Sequence, residues 1–166
     1  MGEVESTGFE AELTWLTPLD GLSFDLHVGY LDTEIKELIE EGVDVSDDHE
    51  LGFQPEWSGM VRGNYAFDVS GGSVFITADV AYRDEMYTDS PINLTSEFEK
   101  MSLSDDLTTI NGSIAYITED ERWRVALEGK NLTDERELVN TFTVSNWMAG
   151  GYNQFRTWAV AVGYNF

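Results

Sequence analysis

The chain ends RTWAVAVGYNF, and this alternation constrains the fold more than any other feature. Phe166, Tyr164, Val162, Val160 and Trp158 form one set, apolar or aromatic throughout. Asn165, Gly163, Ala161, Ala159 and Thr157 form the other, all small or polar. Successive side chains of a strand point to opposite faces, so the segment predicts a strand with one apolar face. The period recurs upstream. Phe9, Ala11, Leu13 and Trp15 alternate with Glu10, Glu12 and Thr14, and Leu22, Phe24, Leu26, Val28 and Tyr30 with Ser23, Asp25, His27 and Gly29. Trp57, Val61, Tyr65 and Phe67 share a face, as do Val74, Ile76, Ala78, Val80 and Tyr82, then Ile110, Ile114 and Tyr116, then Trp123, Val125 and Leu127. The pattern predicts an all-β chain of about seven strands of roughly 10 residues, the length that crosses a bilayer when tilted. The stretch EIKELIEEG at 34–42 is the one short helical candidate.

The connections alternate in length. TPLDG (17–21), DVSGG (68–72) and TEDE (118–121) are short and carry turn residues. Long polar stretches near 36–56, 87–106 and 132–153 separate them. A meander with one trimmed and one elaborated rim looks this way, and bacterial outer-membrane barrels have that asymmetry. No low-complexity linker or repeat divides the chain, so residues 1–166 read as one unit.

A soluble acidic β-sandwich that binds a ligand, or a small stand-alone outer-membrane barrel, would show the same alternation. Aromatic placement favours a membrane wall. Trp15, Tyr30, Trp57, Tyr82, Trp123, Trp158 and Tyr164 sit near segment ends, with aliphatic residues between. Amphipathic rings prefer the membrane interface and form girdles there. The opposite face carries Asp25, Arg62, Asp79, Arg124 and Glu128 well inside strands, which suits a watery lumen.

Composition narrows the function. With 9 Lys+Arg against 32 Asp+Glu, the formal charge of −23 argues against nucleic acid as a partner, because phosphate needs a basic face. No cysteine is available for a disulfide or thiolate chemistry. A 13% aromatic content argues against an acidic disordered chain. The start, MGEVESTGFEAEL, has neither the basic head nor the apolar core of a signal peptide. No Ser-His-Asp arrangement, phosphate-cradling glycine loop or HExxH-like motif occurs, so the chain is expected not to be an enzyme and to need no cofactor or catalytic metal.

A more specific signal lies in WRVALEGKNLTDERELVN (123–140). An aromatic-led strand runs into GKNLTDE, a loop follows, and an Arg-Thr-led last strand closes on Phe. This resembles the C-terminal end of a TonB-dependent outer-membrane receptor. TGFEAELTWLTPLDGLSFDLHVGYLDTEI (7–35) resembles a hairpin of that family, and PEWSGMVRGNYAF (55–67) its next strand entry. The resemblance implies that residues 1–166 are the C-terminal part of a barrel of about 22 strands. A plug domain, a TonB box and a signal peptide, which the family carries, have no counterpart here. It implies an outer-membrane location with a periplasmic C-terminus, and uptake of a scarce nutrient of siderophore, cobalamin or carbohydrate class by the whole receptor. The implied partners are outer-membrane lipid, the plug and remaining strands, the TonB system and the assembly machinery.

On that resemblance Gly129, Lys130, Asn131, Leu132, Thr133, Asp134 and Glu135 are the family motif. Phe166, Tyr164, Val162, Val160 and Trp158 resemble the assembly signal of such barrels. Trp147 and Tyr152, in NWMAGGYNQF, are candidate substrate contacts, because rings stack on sugars and chelates. The acid-rich 36–50 stretch with His49 offers oxygen ligands but no ordered calcium-loop spacing, and reads as a solvated loop. Arg62, Arg83, Arg122 and Arg124 are expected to pair with acids such as Asp79 and Glu128, or with the plug. Asn131 also begins a glycosylation sequon.

Overall fold

A computed structural model describes residues 2–90, 92–144 and 146–166. Seven long antiparallel strands form one sheet in their sequence order, with the two-residue strand Val43–Asp44 added beside the end of the second. The seven are β1 (Gly2–Leu16), β2 (Leu22–Glu40), β3 (Trp57–Val69), β4 (Gly72–Arg83), β5 (Leu107–Thr118), β6 (Trp123–Lys130) and β7 (Thr157–Tyr164). The meander expected from the sequence is the architecture found. Gly21 shows why the tight turns are cheap here. Its φ is +78° and a Cβ would fall 1.9 Å from the Ala66 carbonyl oxygen, so only glycine fits.

Register fixes the faces. Leu13, Leu26, Val61, Val80 and Ile110 lie in one cross-strand row, and Tyr116, Val125 and Val162 in another. All belong to the face predicted to be apolar. A slip of one residue would have turned every one of them over. Aromatic rings gather at both ends of this face. Tyr30 and Trp57 lie 4.8 Å apart with Phe9 beside them at the long-loop end. Trp15–Phe24, Tyr65–Phe67 and Trp123–Tyr164 pair at the short-turn end. Phe75 is the exception, a large ring on the polar face. Its row is otherwise Ala66, Ala115, Ala126 and Ala161, whose small side chains leave it room.

The sheet is a single layer, so none of the described residues covers its apolar face. Leu13 stays 58% exposed and Val160 71%. Among the described residues the buried hydrophobics are Ile92, Ala115 and Ala126. A sandwich would stack a second sheet on this face. β1 and β7 lie at opposite edges, so the described residues form neither a sandwich nor a closed barrel.

Two expectations are corrected. Residues 34–40 are strand, not helix: β2 continues to Glu40, with Glu34 opposite Glu5 and Leu38 opposite Gly2. Pairing with β1 on one side and with Val43–Asp44 on the other outweighs the weak helical propensity of EIKEL. The 132–153 stretch also contains a hairpin, Leu138–Val144 with Trp147–Tyr152. The short period-two run TFTV (141–144) was its signal.

Candidate functional site

The polar face of the sheet and the rim of long loops carry the groups able to meet a solute. Two lines of polar contacts cross the polar face, the first hydrogen-bonded throughout and the second led by an ion pair. In the first, Thr14 Oγ1 donates to Asp25 Oδ1 at 2.9 Å, Asn64 Nδ2 to Asp25 Oδ2 at 3.1 Å, and Thr77 Oγ1 to Asn64 Oδ1 at 3.1 Å. In the second, Arg62 Nε lies 3.7 Å from Asp79 Oδ1, and Asn111 Nδ2 donates to Asp79 Oδ2 at 2.7 Å. The Asn131 N–H then donates to Asn111 Oδ1 at 2.9 Å. This line runs from β3 across β4 and β5 to the end of β6, and joins the face to the rim. Clefts of about 750 Å³ beside Arg124 and about 480 Å³ beside Arg62 and Lys130 open on this face.

The arginines divide by role. Arg62 pairs with Asp79 as expected. Arg122 stands 3.8 Å from Asp120, a neighbour in its own turn. Arg83 meets neutral oxygens instead. It donates to Ser104 Oγ at 2.6 Å and to the carbonyls of Asp84, Asp105 and Leu138 at 2.9 to 3.2 Å. Its planar fork satisfies carbonyls that the strand ladder no longer reaches at the rim. Arg124 forms no ion pair with Glu128 among the described residues and faces the larger cleft. His27 Nδ1 sits 3.3 Å from Glu12 Oε1.

Gly129 and Lys130 end β6, the rest of GKNLTDE folds into a knot beyond it, and Asn131 is its centre. The residue is 3% exposed with φ +48°, a backbone conformation that Asn tolerates better than most residues. Its Nδ2 donates to the Glu135 and Gln154 carbonyls, both at 2.8 Å, and its Oδ1 accepts from Glu135 N at 3.1 Å. Thr133 Oγ1 adds a longer contact to the same oxygen. A saturated, buried amide is not open to a glycan in this fold. Leu132 N continues the β5 ladder by donating to the Ile110 carbonyl. Asp134 accepts from the Arg156 backbone N–H and from the Arg136 guanidinium, which hold its carboxyl below the usual carboxylate range. Gly129 is also explained: a Cβ there would fall 2.6 Å from Leu132 Cδ2 and 2.8 Å from the Trp158 ring. Lys130 opens on the smaller cleft.

The remaining candidates are placed as follows. Trp158, Val160, Val162 and Tyr164 line the apolar face of β7, an edge strand. Phe166 lies just past its end with its ring 5.1 Å from Tyr164. Trp147 and Tyr152 cap opposite ends of one hairpin strand and are 52% and 58% exposed. The Trp147 ring packs edge-on against Phe142 at 6.2 Å. In the 36–50 stretch, Asp44 accepts from Leu38 N and Ser46 N, which pull its carboxyl below the ordinary range. His49 Nδ1 lies 3.0 Å from the Val45 carbonyl oxygen. Among the described residues no three His, Asp or Glu side chains converge as cation ligands.

Comparison of the sequence with family models and with curated proteins finds no match. The fold does find relatives. The ferric yersiniabactin uptake receptor FyuA from Yersinia pestis superposes with a TM-score of 0.79 at 18% identity, over 99% of this chain and 24% of its own. The fold of this chain is that of part of the barrel wall of that protein. The siderophore receptor PiuA from Acinetobacter baumannii gives 0.71 at 19% identity, over 98% of this chain and 22% of its own. BauA, the ferric preacinetobactin receptor of the same organism, gives 0.71 at 18% identity, over 99% and 22%. The TonB-dependent-receptor barrel suggested by GKNLTDE and the closing strand is thus matched in fold. The chain spans about a quarter of the length of these receptors. In such a wall the apolar face meets lipid and the polar face the lumen.

The two crossing lines, the Asn131 knot and the Arg83 anchor were not evident as a site in the sequence. Asp79 lies on the polar face expected of it, and Asn111 and Arg83 share that face. Their partners lie 32, 20 and up to 55 residues away, and periodicity does not report such pairings.

Proposed function

We propose that residues 1–166 form the C-terminal part of the barrel of a TonB-dependent outer-membrane receptor that takes up a ferric siderophore. The carrying observation is the superposition of nearly the whole chain on the wall of FyuA, a receptor for a ferric siderophore. The uncovered apolar face with rings at both ends supports the placement, because only lipid would cover it in a monomer. On this reading the short turns and the C-terminus lie in the periplasm, and the long loops face the medium. A plug and the remaining strands come from other parts of the receptor, and energy comes through the TonB system. The chain contributes wall and rim rather than catalysis. Phe166 with Tyr164, Val162, Val160 and Trp158 serves as the signal read by the assembly machinery. Trp147 and Tyr152 offer exposed rings to the incoming chelate.

Uptake of radiolabelled ferric siderophores by iron-starved cells tests the proposal. Cells carrying the complete receptor should accumulate label, and cells in which the segment of this chain is deleted, or TonB is absent, should not. Equal accumulation with and without the receptor, across chelates of catecholate, hydroxamate and thiazoline types, would refute the siderophore assignment.

A further inference from the structure

Among the described residues the most completely buried polar side chains lie in the long loops, not in the sheet. Thr88 and Ser102 are 0% exposed and Ser104 1%. Thr88 uses every polar atom it has. Its N–H donates to the Ser102 carbonyl at 3.0 Å, and its carbonyl accepts from Thr141 N at 2.7 Å. Its hydroxyl donates to the same Ser102 carbonyl at 2.7 Å and lies 3.1 Å from Thr141 Oγ1. One residue thus joins the 84–106 loop to the 138–152 hairpin. Asp89 reinforces the joint by accepting from Thr143 N at 3.1 Å. Arg83 pins both at their base through Ser104 and Leu138.

The 84–106 loop is joined as firmly to the 41–56 loop on its other side. His49–Glu50 pairs with Ile92–Asn93, and Ile92 is 1% exposed. Phe53 N donates to the Tyr87 carbonyl and Leu94 N to that of Asp48, both at 2.7 Å. Gly52 allows this approach, since a Cβ there would sit 1.8 Å from the Asp89 carbonyl oxygen.

We infer that the three long loops form one cap that moves as a single body, with Thr88 as its lock. The reason lies in the buried bonds. A small slide of one loop would break them without admitting water, and each buried polar group left unpaired is costly. Packed joints of this kind switch between discrete states rather than deform continuously. A displacement of the hairpin that carries Trp147 and Tyr152 is therefore passed through Thr88 and Asp89 to residues 48–53. The loop assignment to the outer rim rests on the receptor reading, but the coupling itself does not.

Hydrogen exchange of the full-length protein in detergent micelles tests this, read by mass spectrometry on peptides covering 46–54, 86–95 and 138–144. Thr88→Val removes the lock hydroxyl at nearly constant volume and should speed exchange about 5–30-fold in all three peptides. Thr141→Val, a milder change, should give the same three-way pattern at smaller amplitude. Thr143→Val is the control. Its hydroxyl is buried without a partner among the described residues, so exchange should stay within about twofold of the parent. Acceleration confined to 86–95 and 138–144, or none in either lock variant, would overturn the single cap. Failure of siderophore uptake would leave the exchange pattern unchanged, so the two readings fail separately.

Discussion

Asn131 offers a sharp test of how the wall enters its last strand. Its amide makes three short hydrogen bonds to backbone groups of Glu135 and Gln154. A buried hydrogen bond contributes about 1 kcal/mol net, so Asn131→Gly should cost about 3 kcal/mol. Asn131→Ala should cost about 1 kcal/mol more, because the φ of +48° suits glycine and asparagine better than alanine. Asn131→Asp keeps the acceptor for Glu135 N but turns the Nδ2 donor into an oxygen facing two carbonyl oxygens. At neutral pH it should cost at least as much as alanine, roughly 4 kcal/mol or more. The assay is urea unfolding of the purified full-length protein in micelles, followed by tryptophan fluorescence and by the heat-dependent gel mobility of folded barrels. Variants within about 1 kcal/mol of the parent would show that the knot is not stabilised by this amide. Equal glycine and alanine variants would show that the left-handed backbone carries no cost.

Leu127→Arg should destabilise the inserted receptor by roughly 2–4 kcal/mol, since Leu127 lies mid-strand on the apolar face, whereas Glu128→Arg on the polar face should cost much less; single cysteines at the two positions should label from lipid and from water respectively, and a swapped pattern would refute the register. Deleting Phe166 from the complete receptor should lower its outer-membrane level while leaving synthesis unchanged, and normal assembly of the deletion would remove the C-terminal signal from the proposal.

The strands, their two faces and the alternation of short and long connections were legible in the sequence, because period two is a local property. Trp158, Val160, Val162 and Tyr164 state it without reference to any other strand. The same count put the aromatic residues near segment ends, and the register then clusters them. What the sequence left open depends on partners far along the chain. EIKEL reads as a short helix when taken alone, and becomes strand because β1 lies beside it. Asn131 reads as one letter of a motif. Its importance comes from two carbonyls, at Glu135 and Gln154, that only the folded loop brings to it. Thr88 lies in a polar stretch with no period at all, and its lock needs Thr141, 53 residues on. A wall strand is specified by what it must show to lipid and water on either side, and that demand is written residue by residue. A cap is specified by which loops meet. Only the tertiary structure decides that, because the sheet, and not the loop sequences, sets the loop ends side by side where they can pair.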